Sequence, residues 1–146
     1  MSKFEFGSVF KFFGGGQPTA EEKQQLFRET MVMTLARATS SDTNPDPVEI
    51  AAVVKLLKEE IGEDVSEADI RVAAASELWE TKPLQKVLSK AGSKLDPADR
   101  VRVVNALAHV IKSDVRVSQM EVDFFNMVAA AISVTPAELA GLIPAQ

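Results

Sequence analysis

Two aspartate–glutamate pairs stand at one spacing in this chain, Asp42 with Glu49 and Asp114 with Glu121, six residues separating the carboxylates of each pair. Asp42 and Asp114 fall just past an expected helix end, and Glu49 and Glu121 in the first turn of the next expected helix. A tight helical hairpin can carry two such groups toward one point. Four of them would line two equivalent hollows or one shared hollow. An all-oxygen donor set favours Ca²⁺, Mg²⁺ or Mn²⁺ over zinc. Asp42, Glu49, Asp114 and Glu121 are therefore the candidate metal ligands, and a divalent cation is the one cofactor to expect. The pattern is not an EF-hand, because no twelve-residue loop of alternating Asp/Asn with a central Gly is present. Nor is it a di-iron bundle, which takes Glu-x-x-His from two helices, since the chain has a single His. A structural alternative stands beside the metal reading. Asp46 with Glu49, and Ser118 with Glu121, have the spacing of helix capping boxes, and the two Asp side chains can satisfy nearby loop amides. Capping alone does not require an Asp seven residues before the Glu.

Other chemistry is sparse. There is no Gly-rich phosphate loop, no Ser/His/Asp pattern and no Cys, so no catalytic residue is assigned and the chain reads as a non-enzyme. His109 shares the polar face of its helix with Arg102, Asn105 and Lys112 and is expected in solvent. Arg28 and Arg100 suit ion pairs or solvent better than an anion site, and Trp79 suits the core or a hinge. The acidic run Glu59, Glu60, Glu63, Asp64, Glu67 and Asp69 reads as a solvated face. Its functional alternative is a docking surface for a basic partner.

The elements that must position these groups announce themselves by their caps. Helix starts are expected at Thr19–Glu22, Asp46–Glu49, Ser66–Asp69, Thr81/Pro83, Asp96–Asp99, Ser118–Glu121 and Thr135–Glu138. Gly62, Gly92 and Gly141 are the expected stops. No stretch alternates with a period of two, so the fold class is all-α: a compact bundle of about seven helices. The helices beginning at Asp96 and Ser118 carry the clearest apolar faces, Val101, Val104, Leu107, Ala108 and Ile111 in one, Phe124, Phe125, Val128, Ala129 and Ile132 in the other. They are expected at the centre of the core.

Residues 28–49 align on 100–121 without gaps, with seven identities in 22 positions, among them Arg28/Arg100, Leu35/Leu107, Asp42/Asp114 and Glu49/Glu121. One supersecondary unit used twice is the ordinary meaning of such a repeat. Two pseudo-equivalent helical hairpins are expected to bury their apolar faces against each other.

The 146 residues, 46% hydrophobic with a net charge of −5, suit one soluble globular domain over 17–146. An acidic balance argues against nucleic acid as a partner. Residues 1–16 form a separate arm. Phe4, Phe6, Phe10, Phe12 and Phe13 crowd into it before Gly14-Gly15-Gly16. The arm lacks the apolar core of a signal peptide, and no run is long enough to span a bilayer. Its Phe residues, with Lys3 and Lys11, are candidate membrane-surface contacts; the alternative is a loose arm that packs on the domain or on a neighbouring molecule.

The stretch Leu107-Ala-His-Val-Ile-Lys-Ser-Asp114-Val-Arg-Val-Ser118-Gln-Met-Glu121, with Phe125 and Ala129-Ala130-Ala131-Ile132-Ser133-Val134 after it, resembles the TerB-like tellurite-resistance family. Leu35-Ala36 through Asp42 to Glu49 is similar to a degenerate copy of the same unit, and the resemblance covers roughly residues 20–143. The chain departs from the family pattern where a Gly usually follows the Asp: Thr43 and Val115 stand there, and the first loop holds Pro45 and Pro47. The resemblance implies an all-helical fold, a role in bacterial tellurite and chemical-stress resistance, and a metal site on these acidic residues. It places the chain in the cytoplasm, peripheral to the inner membrane face where the arm engages lipid. Other stress-response proteins or the membrane surface are then the expected partners. A protein–protein interaction module, held loosely at the membrane by the arm, is the alternative function.

Overall fold

The computed structural model describes residues 18–39, 47–74, 83–114 and 116–142. Asp42, Asp46, Trp79, Thr81 and the five Phe residues of the N-terminal arm lie outside these, so the readings placed on them are outside the described structure.

Among the described residues there are seven helices and no strand: α1 (Ala20–Ala38), α2 (Pro47–Ile61), α3 (Glu67–Ala74), α4 (Leu84–Lys94), α5 (Pro97–Lys112), α6 (Gln119–Ile132) and α7 (Pro136–Leu139). The all-α reading is correct. The start signals act as the sequence predicts in four places. In each, a side chain at the N-cap accepts from the third helical backbone N–H while that third residue's carboxylate accepts from the N-cap N–H. Thr19 with Glu22, Ser66 with Asp69, Ser118 with Glu121 and Thr135 with Glu138 all close this way, at 2.9–3.3 Å. Asp96 differs. It precedes α5, but its side chain makes no capping bond. Its carboxylate accepts from Lys23 at 3.1 Å instead, tying the head of α5 to the first turns of α1.

Two expectations need correcting. First, α5 and α6 are not the centre of the core. That place belongs to α1, which buries eleven of its nineteen residues and packs on α2, α3, α4, α5 and α6. A helix enclosed on all sides has no polar stripe to set against an apolar one. The run from Leu26 to Ala38 therefore shows little periodicity, and its Thr30 hydroxyl is satisfied locally by donating to the Leu26 carbonyl at 2.7 Å. The α5 face is also broader than expected: Val103, Ala106 and Val110 are buried with Val104, Leu107 and Ile111, whereas Val101 and Ala108 are half-buried. Leu26, Met31, Leu35, Ile50, Leu57, Ile70, Leu88, Leu107 and Ile132 are among the fully enclosed side chains of one continuous core. Each contributes about 1.5–3 kcal/mol by leaving water.

Second, Gly92 does not end a helix. It lies inside α4, buried, and a Cβ there would stand 2.9 Å from the Ile132 Cα. The glycine is needed for close approach. It lets α4 cross against the end of α6, the most extensive helix pair in the fold. Gly62 and Gly141 do follow helix ends, at φ of 70° and 86°.

Candidate metal centre

The two glutamates of the repeat occupy the same local position. Pro47, Val48 and Glu49 open α2; Gln119, Met120 and Glu121 open α6, so each Glu is the third helical residue. A carboxylate in a helix's first turn faces the partial positive charge of the unpaired amides there. Both glutamates are nevertheless buried, at 3% and 2% exposure. Their burial follows from packing: Ile50 is fully enclosed beside Glu49, and Glu121 shares the inner face of α6 with Val128 and Ile132, seven and eleven residues further on.

The structure brings Glu49 and Glu121 side by side, with their carboxyl groups in hydrogen-bonding contact. Glu121 is held by two further bonds. The Ser118 backbone N–H donates to its Oε1 at 2.9 Å, and its own N–H donates to the Ser118 hydroxyl oxygen at 3.1 Å. Among the described residues, no group donates to its second oxygen, Oε2, which is fully buried. Asp114, half-buried two residues past α5, is near enough for its charge to act on Glu121. Burial pushes the Glu121 carboxyl upward, and the charge of Asp114 adds to that push. The bonds with Glu49 and with Ser118 outweigh both and leave the group below the usual carboxylate range.

Three of the four sequence-predicted ligands, Glu49, Asp114 and Glu121, thus belong to one neighbourhood; Asp42 lies outside the described residues. The three are not a closed cage. Among the described residues, no three acidic or histidine side chains converge closely enough to count as a metal-binding group. What the geometry does supply is a buried pair of carboxyls in contact. Two buried carboxyls in contact are favourable only where a proton, a cation or a positive neighbour offsets their mutual repulsion.

The remaining candidate residues have ordinary roles. His109 is exposed on α5. Arg28 stands 4.0 Å from Glu63, and Arg100 reaches the Ile132 carbonyl at 3.4 Å. The acidic run is largely neutralised by its surroundings. Glu60 accepts from Arg102 at 3.0 and 3.2 Å, Asp64 pairs with Lys58 at 3.2 Å, and Asp69 caps α3. Arg102 also lies 4.6 Å from the centre of the Phe27 ring. This Arg102–Glu60–Phe27 cluster was missed by sequence reasoning, since its partners are 42 and 75 residues away from Arg102 with no pattern to link them.

The family model for tellurite resistance protein TerB matches residues 28–142. The chain belongs to the TerB family. The match takes in α2 through α7 and most of α1, and with them Glu49, Asp114 and Glu121. The arm lies outside it. The chain matches no curated protein and no solved structure. Among the described residues no helix is long and apolar enough to cross a membrane.

Proposed function

We propose that this member of the TerB family is a non-enzymatic, cytoplasmic stress-response domain that takes up a divalent cation on Glu49, Asp114 and Glu121, with Asp42 as a fourth donor. The reading rests above all on the buried Oε2 of Glu121, to which no group among the described residues donates, beside the Glu49 carboxyl. A buried acceptor without a donor costs about 1–3 kcal/mol, and a cation at the Glu121 Oε2 removes that cost. The incomplete cage suits the ions in question. Mg²⁺ keeps most of its water and binds through one or two carboxylates, and Ca²⁺ completes its shell with carbonyls and water. All donors here are oxygen, which disfavours zinc and copper.

The test is thermal unfolding of the wild type and of Asp114→Asn, in chelator and in millimolar Ca²⁺, Mg²⁺ or Mn²⁺. A ligand that binds only the native state raises the melting point. The wild type is expected to respond to at least one cation and the variant to lose the response, with its cation-free stability unchanged or improved. A flat titration on the wild type would end the metal reading and leave the interaction module.

A further inference from the structure

A second feature of the fold is independent of any cation. Where the C-terminal turn of α5 meets the first two turns of α6, the surface opens into a groove of about 260 Å³ lined by Ala108, Ile111, Lys112, Val117, Val122 and Phe125. Five of the six are apolar, and Val117 and Val122 are 49% and 38% exposed. A cluster of apolar side chains left open on one small domain marks a surface that something covers.

The corresponding positions in the first half of the chain are covered. At the 72-residue offset of the sequence repeat, Ala108, Ile111, Val122 and Phe125 fall on Ala36, Thr39, Ile50 and Val53. Those four are enclosed, at 1% exposure or less, whereas Ala108 and Phe125 are half-buried and Val122 is open. The helix α3 packs on both α1 and α2, which carry the enclosed set, and buries Ile70, Ala73 and Ala74. Its C-terminal end lies at the end of α1, because Arg37, next to Ala36, donates to the Ala74 carbonyl at 2.8 Å.

The second half lacks such a cover. Among the described residues, α4 lies chiefly on α6, and α7 on α5. At the same offset α3 corresponds to 139–146, but α7 ends at Leu139, and Gly141 follows at φ 86°. Leu142, the counterpart of the enclosed Ile70, is 70% exposed. The turn that follows α7 therefore leaves the groove open.

We propose that the groove receives a short amphipathic helix from another polypeptide, one that buries a branched aliphatic side chain and two small residues and ends at Lys112 and His109. The buried face is that of α3, the helix that covers the corresponding positions. A cavity of roughly 150 Å³ holds a benzene ring, so this groove has room for an isoleucine side chain and an alanine. The direction comes from charge. A helix C-terminus is partly negative and takes cations. Arg37 serves the end of α3 in this way, and His109 is its counterpart at the offset, exposed on α5 with Lys112 one turn further on.

The test is a nuclear magnetic resonance titration of the isotope-labelled full-length chain. The probe is a synthetic peptide of residues 64–74, acetylated and amidated, which spans α3. It is added to about 5 mM, enough to detect a Kd in the millimolar range. Saturating shifts are expected at Ala108, Val117, Val122 and Phe125, and the peptide carrying Ile70→Asp is expected to give none. Lys112→Glu, at an exposed position, puts a carboxylate at the negative end of the bound helix and is expected to raise the Kd about threefold or more. No shift at the highest concentration overturns the proposal. Shifts centred on Ile50 and Val53 also overturn it, since the peptide would then be displacing α3. An unchanged Kd in Lys112→Glu overturns the assigned direction. Shifts of the groove signals with protein concentration alone, without peptide, would give the groove to a second copy of the chain and overturn the proposal.

Discussion

Glu49 and Glu121 are 72 residues apart in sequence, each is the third residue of its helix, and their carboxyl groups meet in the interior of the fold. Burial of both makes the contact unfavourable unless something positive lies between them. In chelator, the hydrogen bond between the two carboxyls fills that place. Glu49→Gln supplies an amide N–H in the same place, able to donate to the Glu121 carboxylate at no change of shape. Its cation-free melting point is expected to equal the wild-type value or exceed it by a few degrees, with the response to added cation lost. A cation-free loss of more than about 1 kcal/mol, the usual worth of a hydrogen bond, would show that the charged Glu49 carboxylate is itself a required acceptor.

Gly92 sets how closely α4 and α6 pack. Its neighbours are backbone atoms, the Ile132 Cα at 2.9 Å and carbonyl oxygen at 3.1 Å from where a Cβ would stand, so no side chain can swing aside. Alanine is the better helix former by about 1 kcal/mol, yet Gly92→Ala is expected to destabilise by about 1–3 kcal/mol through overpacking. Urea unfolding of the variant measures the sign. A gain in midpoint would mean that the two helices separate without cost.

The helix starts were readable because a cap is a local device: Ser118 and Glu121 are three residues apart and bond to each other. Helix order and fold class follow from such signals. The central place of α1 was not readable, because enclosure on every side leaves a helix without periodicity, and it is a property of the neighbours more than of the run itself. Gly92 misled for a related reason. A glycine that ends a helix and one that admits a crossing helix look alike until Ile132 is placed against it. At the candidate centre, the repeat spacing singled out Glu49, Asp114 and Glu121, and the structure puts these in one neighbourhood. That the two Glu would touch, with Asp114 at the margin, depends on how α2 and α6 lie against the core, which spacing does not encode.

Ser133 follows α6 at φ 65° and ψ 44°, the left-handed conformation, and the Val134 N–H returns to the Ala129 carbonyl at 2.9 Å. A residue with a Cβ is strained there by roughly 1 kcal/mol or more, and glycine is the common occupant of such an end. Ser133→Gly is expected to be neutral or to stabilise by up to about 1 kcal/mol, the relief of strain being partly offset by the greater freedom of glycine in the unfolded chain. Chemical denaturation reads the change. A clear loss would show that the Ser133 side chain contributes more than its conformation costs.

Ser118 separates the two roles open to Glu121. Its hydroxyl accepts from the Glu121 N–H at 3.1 Å and so serves the helix, while the Glu121 carboxylate serves both the cap and the contact with Glu49. Ser118→Ala removes the hydroxyl and leaves the carboxylate in place. It is expected to cost about 1 kcal/mol equally with and without cation, and to keep the cation-induced rise in melting point. Glu121→Gln is the converse. Gln still closes a capping box, so the stability cost stays within a few tenths to about 1 kcal/mol, but the charge that would hold a cation is gone and the rise should vanish. Thermal melts of both variants in chelator and in cation give four values. If both variants lose the cation response together, the cap and the binding act as one unit. If neither changes it, any cation that binds does so away from Glu121.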